Sequence, residues 1–153
     1  MKPLLLFILL FAPPSLMRRP DCVCIKDPHR SEEQVKAERR QAFDKAAAVF
    51  VGKVIALDSY KVRFGLEKRW KGEAGLSEVV LSTGASPGYD GTPLPNECSY
   101  QFHLGEEYLV YAYAVVEKME ASVCLTLPIK SASAEENGLD QIKLHEVIRQ
   151  KSQ

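Results

Sequence analysis

Four cysteines carry the most pointed chemistry in this chain. Cys22 and Cys24 stand two positions apart, and Cys98 and Cys124 lie far downstream. If the backbone at 22–24 is extended, both sulfurs fall on one side and Val23 points the other way. Thiols so placed could ligate a metal, attack as nucleophiles or oxidise. Zinc sites are normally built on CxxC knuckles, and this chain has one CxC and two isolated cysteines, so disulfides are favoured over metal. Four cysteines allow three pairings. A Cys22–Cys24 bridge closes a tight, strained ring and leaves the long loops free. That leaves two long-range schemes, one crossing and one nested, in which each bridge is worth about 4 kcal/mol in the chain-entropy model and roughly 2–4 kcal/mol in practice.

Little else points to catalysis. His29, His103 and His145 fall in a loop, at a strand end and on a helix, with no spacing that sets two on one face. No HExxH, P-loop or GxGxxG pattern occurs. Oxidation would also remove the nucleophilic thiols. The expectation is a protein that is not an enzyme and needs neither metal nor cofactor.

Charge is balanced, with 20 basic and 20 acidic residues among 153. That balance argues against nucleic acid as a partner, which would call for a basic face with exposed stacking aromatics. Lys61, Arg63, Lys68, Arg69 and Lys71 do cluster around Trp70, but Glu67 and Glu73 dilute them. A solvated face is the better reading of the cluster, and glycosaminoglycan binding the lesser one.

Met1 and Lys2 precede an apolar run at 4–12 (LLLFILLFA) that ends in Pro13-Pro14. The run is too short to span a membrane and reads as a signal peptide. Residues 1–21 are therefore expected to be a signal peptide with a short extension, and 22–153 a single domain. The protein is expected outside the cytoplasm and not integral to a membrane.

The pattern of elements suits a barrel. Ser31 with Gln34 is a capping box opening a helix to about residue 46, anchored by Phe43. Residues 47–57 are apolar on both faces around Gly52, as a coiling strand requires. Residues 60–70 alternate and form a hairpin with that strand. A third strand is expected at 78–83, then a glycine- and proline-rich loop over 84–98 with no regular element, and strands at 99–104, 108–116 and 121–127. Ser133 with Glu136 forms a second capping box, and Leu139, Ile142, Val147 and Ile148 mark a closing amphipathic helix weakened by Gly138. The fold class is mainly β: an OB-type five-stranded antiparallel barrel with a helix before and a helix after, and a disulfide-pinned N-terminal segment.

Several segments together carry a resemblance: Cys22-Val23-Cys24, residues 47–54 (AAVFVGKV), Trp70-Lys71-Gly72, residues 98–102 (CSYQF), residues 105–112 (GEEYLVYA) and Cys124. As a set, spanning 22 to about 126, they resemble the netrin-like domain of tissue inhibitors of metalloproteinases and its small single-domain bacterial-type relatives. The resemblance implies Cys22 bonded to Cys98 and Cys24 to Cys124. It also implies an inhibitory ridge of Cys22, Val23 and Cys24 flanked by Asn96 and Glu97. In those inhibitors the first cysteine is the mature N-terminus, its amine and carbonyl chelate the protease zinc, and the next side chain, here Val23, meets the specificity pocket. Asp21 stands ahead of Cys22 in this chain, and an amide nitrogen is a poor zinc ligand. A secreted module that binds an extracellular protein is thus the first expectation, and inhibition of a zinc metalloproteinase the alternative.

Overall fold

The structure is a computed structural model that describes residue 24 and residues 29–96, 99–115 and 118–151. Its first helix, α1 (Glu32–Lys45), begins where its capping box says it should. The Ser31 hydroxyl accepts from the Gln34 amide at 3.2 Å, and the Gln34 side chain accepts from the Ser31 amide at 2.8 Å. The chain then becomes extended at Ala46, where the β-branched and aromatic run starts.

The strands follow in order: β1 (Ala48–Leu57), β2 (Lys61–Lys71), β3 (Glu78–Ser82), β4 (Ser86–Pro87), β5 (Pro93–Leu94), β6 (Glu107–Val115), β7 (Lys118–Ala121) and β8 (Leu127–Pro128). A short 3₁₀ turn (Ile129–Ser131) and the closing helix α2 (Ser133–Lys151) complete the chain. β1, β2, β3, β7 and β6 form a ring, closed by β6 pairing back onto β1 from Ala48↔Ala112 to Lys53↔Glu107. β8 extends the sheet beyond β6.

The alternation of β1 and β6 builds two apolar layers at once. Phe50, Val54, Tyr108 and Val110 point into the barrel with Val62, Phe64 and Leu81. Val49, Val51, Leu109 and Tyr111 point outward, where Phe43, Trp70 and Leu139 join them beneath the helices. Gly52 sits at a register slip of β1 against β2. A Cβ there would lie 3.0 Å from the Gly65 carbonyl oxygen and 3.2 Å from the Phe64 Cβ, so the residue is needed for the close approach of the two strands.

Four expectations are corrected. The barrel is not antiparallel throughout, because β3 and β7 run parallel where Ser82 faces Glu120. Five strands in a closed ring cannot all alternate in direction, so one neighbouring pair has to agree. Residues 99–104 are not a strand. They instead lay Tyr100 and Phe102 against the barrel interior, edge-on to Tyr108 at 5.6 and 5.2 Å, and an end plug of this kind has no ladder to join. Residues 122–126 are a turn between β7 and β8, with the Thr126 amide donating to the Ser122 carbonyl at 2.9 Å. The second helix is capped by backbone: the Glu135 and Glu136 amides both donate to the Ala132 carbonyl at 2.9 Å, and Ser133 is already inside the helix. Leu139 is fully buried while Val147 and Ile148 are exposed, so the expected apolar stripe is buried only in the first half of α2.

Candidate functional site

Of the expected ridge, Cys24 and Asn96 are among the described residues; Cys22, Val23, Glu97 and Cys98 lie outside them. Cys24 is bonded to Cys124 across a separation of 100 residues, with Cα atoms 5.3 Å apart. Cys124 is well held. Its turn hangs from β6 through the Ser122 amide, which donates to the Tyr111 carbonyl at 2.9 Å, and Leu125 packs into the layer under the helices. Beside the bridge is a cleft of about 180 Å³ lined by Arg30, Val35, Glu38 and Arg39 from the α1 side and Leu127 and Glu135 from the other. Arg30 is ion-paired to Glu38 there.

Asn96 is exposed, and its carbonyl accepts from the Ser99 amide at 2.8 Å. With Gly84, Ser99 and Tyr100 it borders a narrow cleft that also touches Glu120 and Ala121 at the end of β7. Gly84 has φ +78° there, and a Cβ on it would come within 2.7 Å of the Ser99 hydroxyl. Cys124 follows three residues after Ala121. One short stretch of chain thus borders the Asn96 cleft and carries the partner of Cys24.

Of the basic cluster, Lys68 and Lys71 reach the helices, while Lys61, Arg63 and Arg69 are exposed along β2. Lys68 lies 4.5 Å above the Trp70 ring and 3.0 Å from Asp140, whose other oxygen accepts from the Trp70 indole at 2.7 Å. These bonds, that from Trp70 first, hold the Asp140 carboxyl below its usual range. The Lys71 ammonium donates to the Phe43 and Asp44 carbonyls at 2.8 Å each, closing the end of α1. Gly72 has φ +120°, and a Cβ on it would come within 3.2 Å of the Ala48 Cβ. Trp70 and Lys71 therefore fasten β2 to the helices, and Gly72 lets the chain leave β2 close beside β1.

The hydroxyls of the two most buried tyrosines are also committed. Tyr111 donates to Glu135 at 2.6 Å, and Glu135 pairs with Arg39 at 2.9 Å; burial, then that bond, pushes the Tyr111 phenol up. Tyr108 donates to Glu106 at 2.8 Å, and burial, then that bond, raises it to about 12. Both stay neutral across the physiological range and serve as struts. His103 and His145 are exposed. Among the described residues no group of three His, Cys, Asp or Glu side chains could hold a metal ion, and no helix is long and apolar enough to cross a membrane.

Sequence reasoning missed the hairpin of β4 and β5, in which Ser86 pairs with Leu94 and Pro87 with Pro93. It is pinned by the Gly88 amide donating to the Thr92 carbonyl at 2.7 Å and by Asp90 accepting from both the amide and the hydroxyl of Thr92. Tyr89 stands fully exposed near its tip. The signal was present, since Asp90-Gly91 is a hairpin dipeptide, but the surrounding prolines hid it. The chain matches no model of a known protein family and no curated protein sequence.

Proposed function

We propose that the chain is an exported, netrin-like module with an OB-type barrel that binds another protein through its N-terminal edge. The observation that carries this is the Cys24–Cys124 bond, which fastens the start of the chain to a turn of the barrel 100 residues away. A segment fixed in this way loses little conformational freedom on docking, and such a bond persists in oxidising compartments. The five-stranded ring, joined at β3–β7 by a single residue pair, suits the partly open barrel of that fold. Cys22, Val23 and Cys24 form the edge, with Asn96 and Glu97 beside it.

The test is a binding screen of the secreted, unreduced protein against extracellular proteins, zinc metalloproteinases included. Val23→Arg and Asn96→Arg should each weaken the partner found by at least tenfold while leaving the unfolding midpoint in place. A partner held equally well by both variants sinks the proposal. Inhibition by zinc chelation is the second reading, favoured by the pinning of the residue directly behind Cys22-Val23. It requires Cys22 at the mature N-terminus, so an intact mass that begins upstream eliminates it.

A further inference from the structure

The ring of strands is weakest between β3 and β7. Thr83 donates to the Tyr60 carbonyl and Leu66 to the Ser77 carbonyl, so residues 77, 79, 81 and 83 turn their backbone groups toward β2. By alternation Glu78, Val80 and Ser82 turn theirs away from it, toward β7. Among the described residues only Ser82 is paired on that side, with Glu120. Beyond this pair the two strands diverge and leave Val80, 45% exposed, on an open edge. The slot between them holds about 800 Å³ and is lined mainly by apolar groups, among them Val80, Leu81, Pro87, Ala114 and Met119.

The slot has a charge and a fixed wall. Lys61 and Lys118 stand at its rim, and no carboxylate among the described residues lines it. Pro87 brings in the β4–β5 hairpin, which is held to the barrel by the Tyr60 hydroxyl donating to the Gly91 carbonyl at 3.4 Å. The opening therefore combines unpaired strand backbone, an apolar trough and two ammonium groups. A lipid or small apolar molecule would use the trough and leave the backbone groups unpaired. An extended chain uses all three.

We infer that the β3–β7 slot docks an extended peptide segment of a partner protein, which adds a strand along Val80, seats an apolar side chain in the trough and places acidic residues against Lys61 and Lys118. This surface is separate from the N-terminal edge proposed above.

Panning a random octapeptide display library against the folded, unreduced protein tests it, with the Lys61→Glu, Lys118→Glu double variant as counter-target. Enriched peptides should alternate apolar and acidic residues. Capped synthetic copies should shift the amide resonances of Val80 and Met119 before others, lose at least tenfold in affinity for the double variant, and lose binding when their strand-facing amides are methylated. Both lysines are exposed, and the Lys61→Gln, Lys118→Gln variant, which should weaken binding less than charge reversal, guards against a folding artefact. Failure to enrich any sequence, equal binding by the charge-reversed variant, shifts mapping elsewhere or indifference to methylation overturns the inference. Sedimentation showing a dimer of the unliganded protein through the Val80 edge overturns it too, by placing a second copy in the slot. Val23→Arg should leave this binding unchanged, which keeps the two surfaces experimentally apart.

Discussion

Gly138 leaves room for a side chain from the other helix. A Cβ at that position would fall onto the Arg39 guanidinium, 2.6 Å from its Nε, and Arg39 is held in place by Glu135. Alanine in a helix is otherwise better than glycine by about 1 kcal/mol. Gly138→Ala should nevertheless destabilise the protein by about 1–2 kcal/mol, because it displaces the arginine. In an Arg39→Ala background the same change should become stabilising, and urea midpoints of the four proteins in that cycle check the reversal of sign. Sequence alone marked Gly138 only as a weak point of its helix, since its partner lies 99 positions earlier and no local window contains both. Asp140 offers a pH test. Its carboxyl is held below the usual range in the folded protein, so its contribution is full above the unfolded value near 3.9 and fades as pH falls through the lower folded value. The group is about half exposed, and after discounting for solvent its removal as Asp140→Ala should cost about 1 kcal/mol at neutral pH. The difference from wild type should shrink below pH 4 and stay flat above pH 5; a gap that persists at pH 2 contradicts this account.

Elements governed by neighbours in sequence were the legible ones. The Ser31–Gln34 box, the β1–β2 hairpin and the burial of Phe43 all follow from spacings of a few residues, and the structure has each of them. The segments misread as strands, 99–104 and 121–127, are apolar for reasons that lie far off in the chain. Tyr100 and Phe102 stop an end of the barrel, and Leu125 fills the layer beneath the helices. Apolar residues in a short run show that burial occurs without showing which hydrogen bonds the backbone makes. The turn bearing Cys124 leads to the next prediction. Reducing the Cys24–Cys124 bond, which closes a loop of about 100 residues, should lower stability by about 2–4 kcal/mol. Identical urea midpoints with and without reductant would remove the bond from any account of how the N-terminal segment is held.

The closed barrel flanked by two helices was visible from strand count and periodicity. The direction of its last joint was not, although the parity of five strands requires one parallel pair, because periodicity within a strand says nothing of which way its neighbour runs. Of the candidate edge, the Cys24–Cys124 bond is the part that the structure describes; the slot was not legible, because an opening between β3 and β7 depends on where two distant strands part company. The seating of β1 and β6 has one more consequence. These two strands are the common wall of a lumen filled by Phe50, Phe64 and Tyr108 and of an outer chamber filled by Phe43, Trp70 and Tyr111. A domain of this size can therefore hold two oily rooms with a single partition between them, and neither room can be emptied while its neighbour stays furnished.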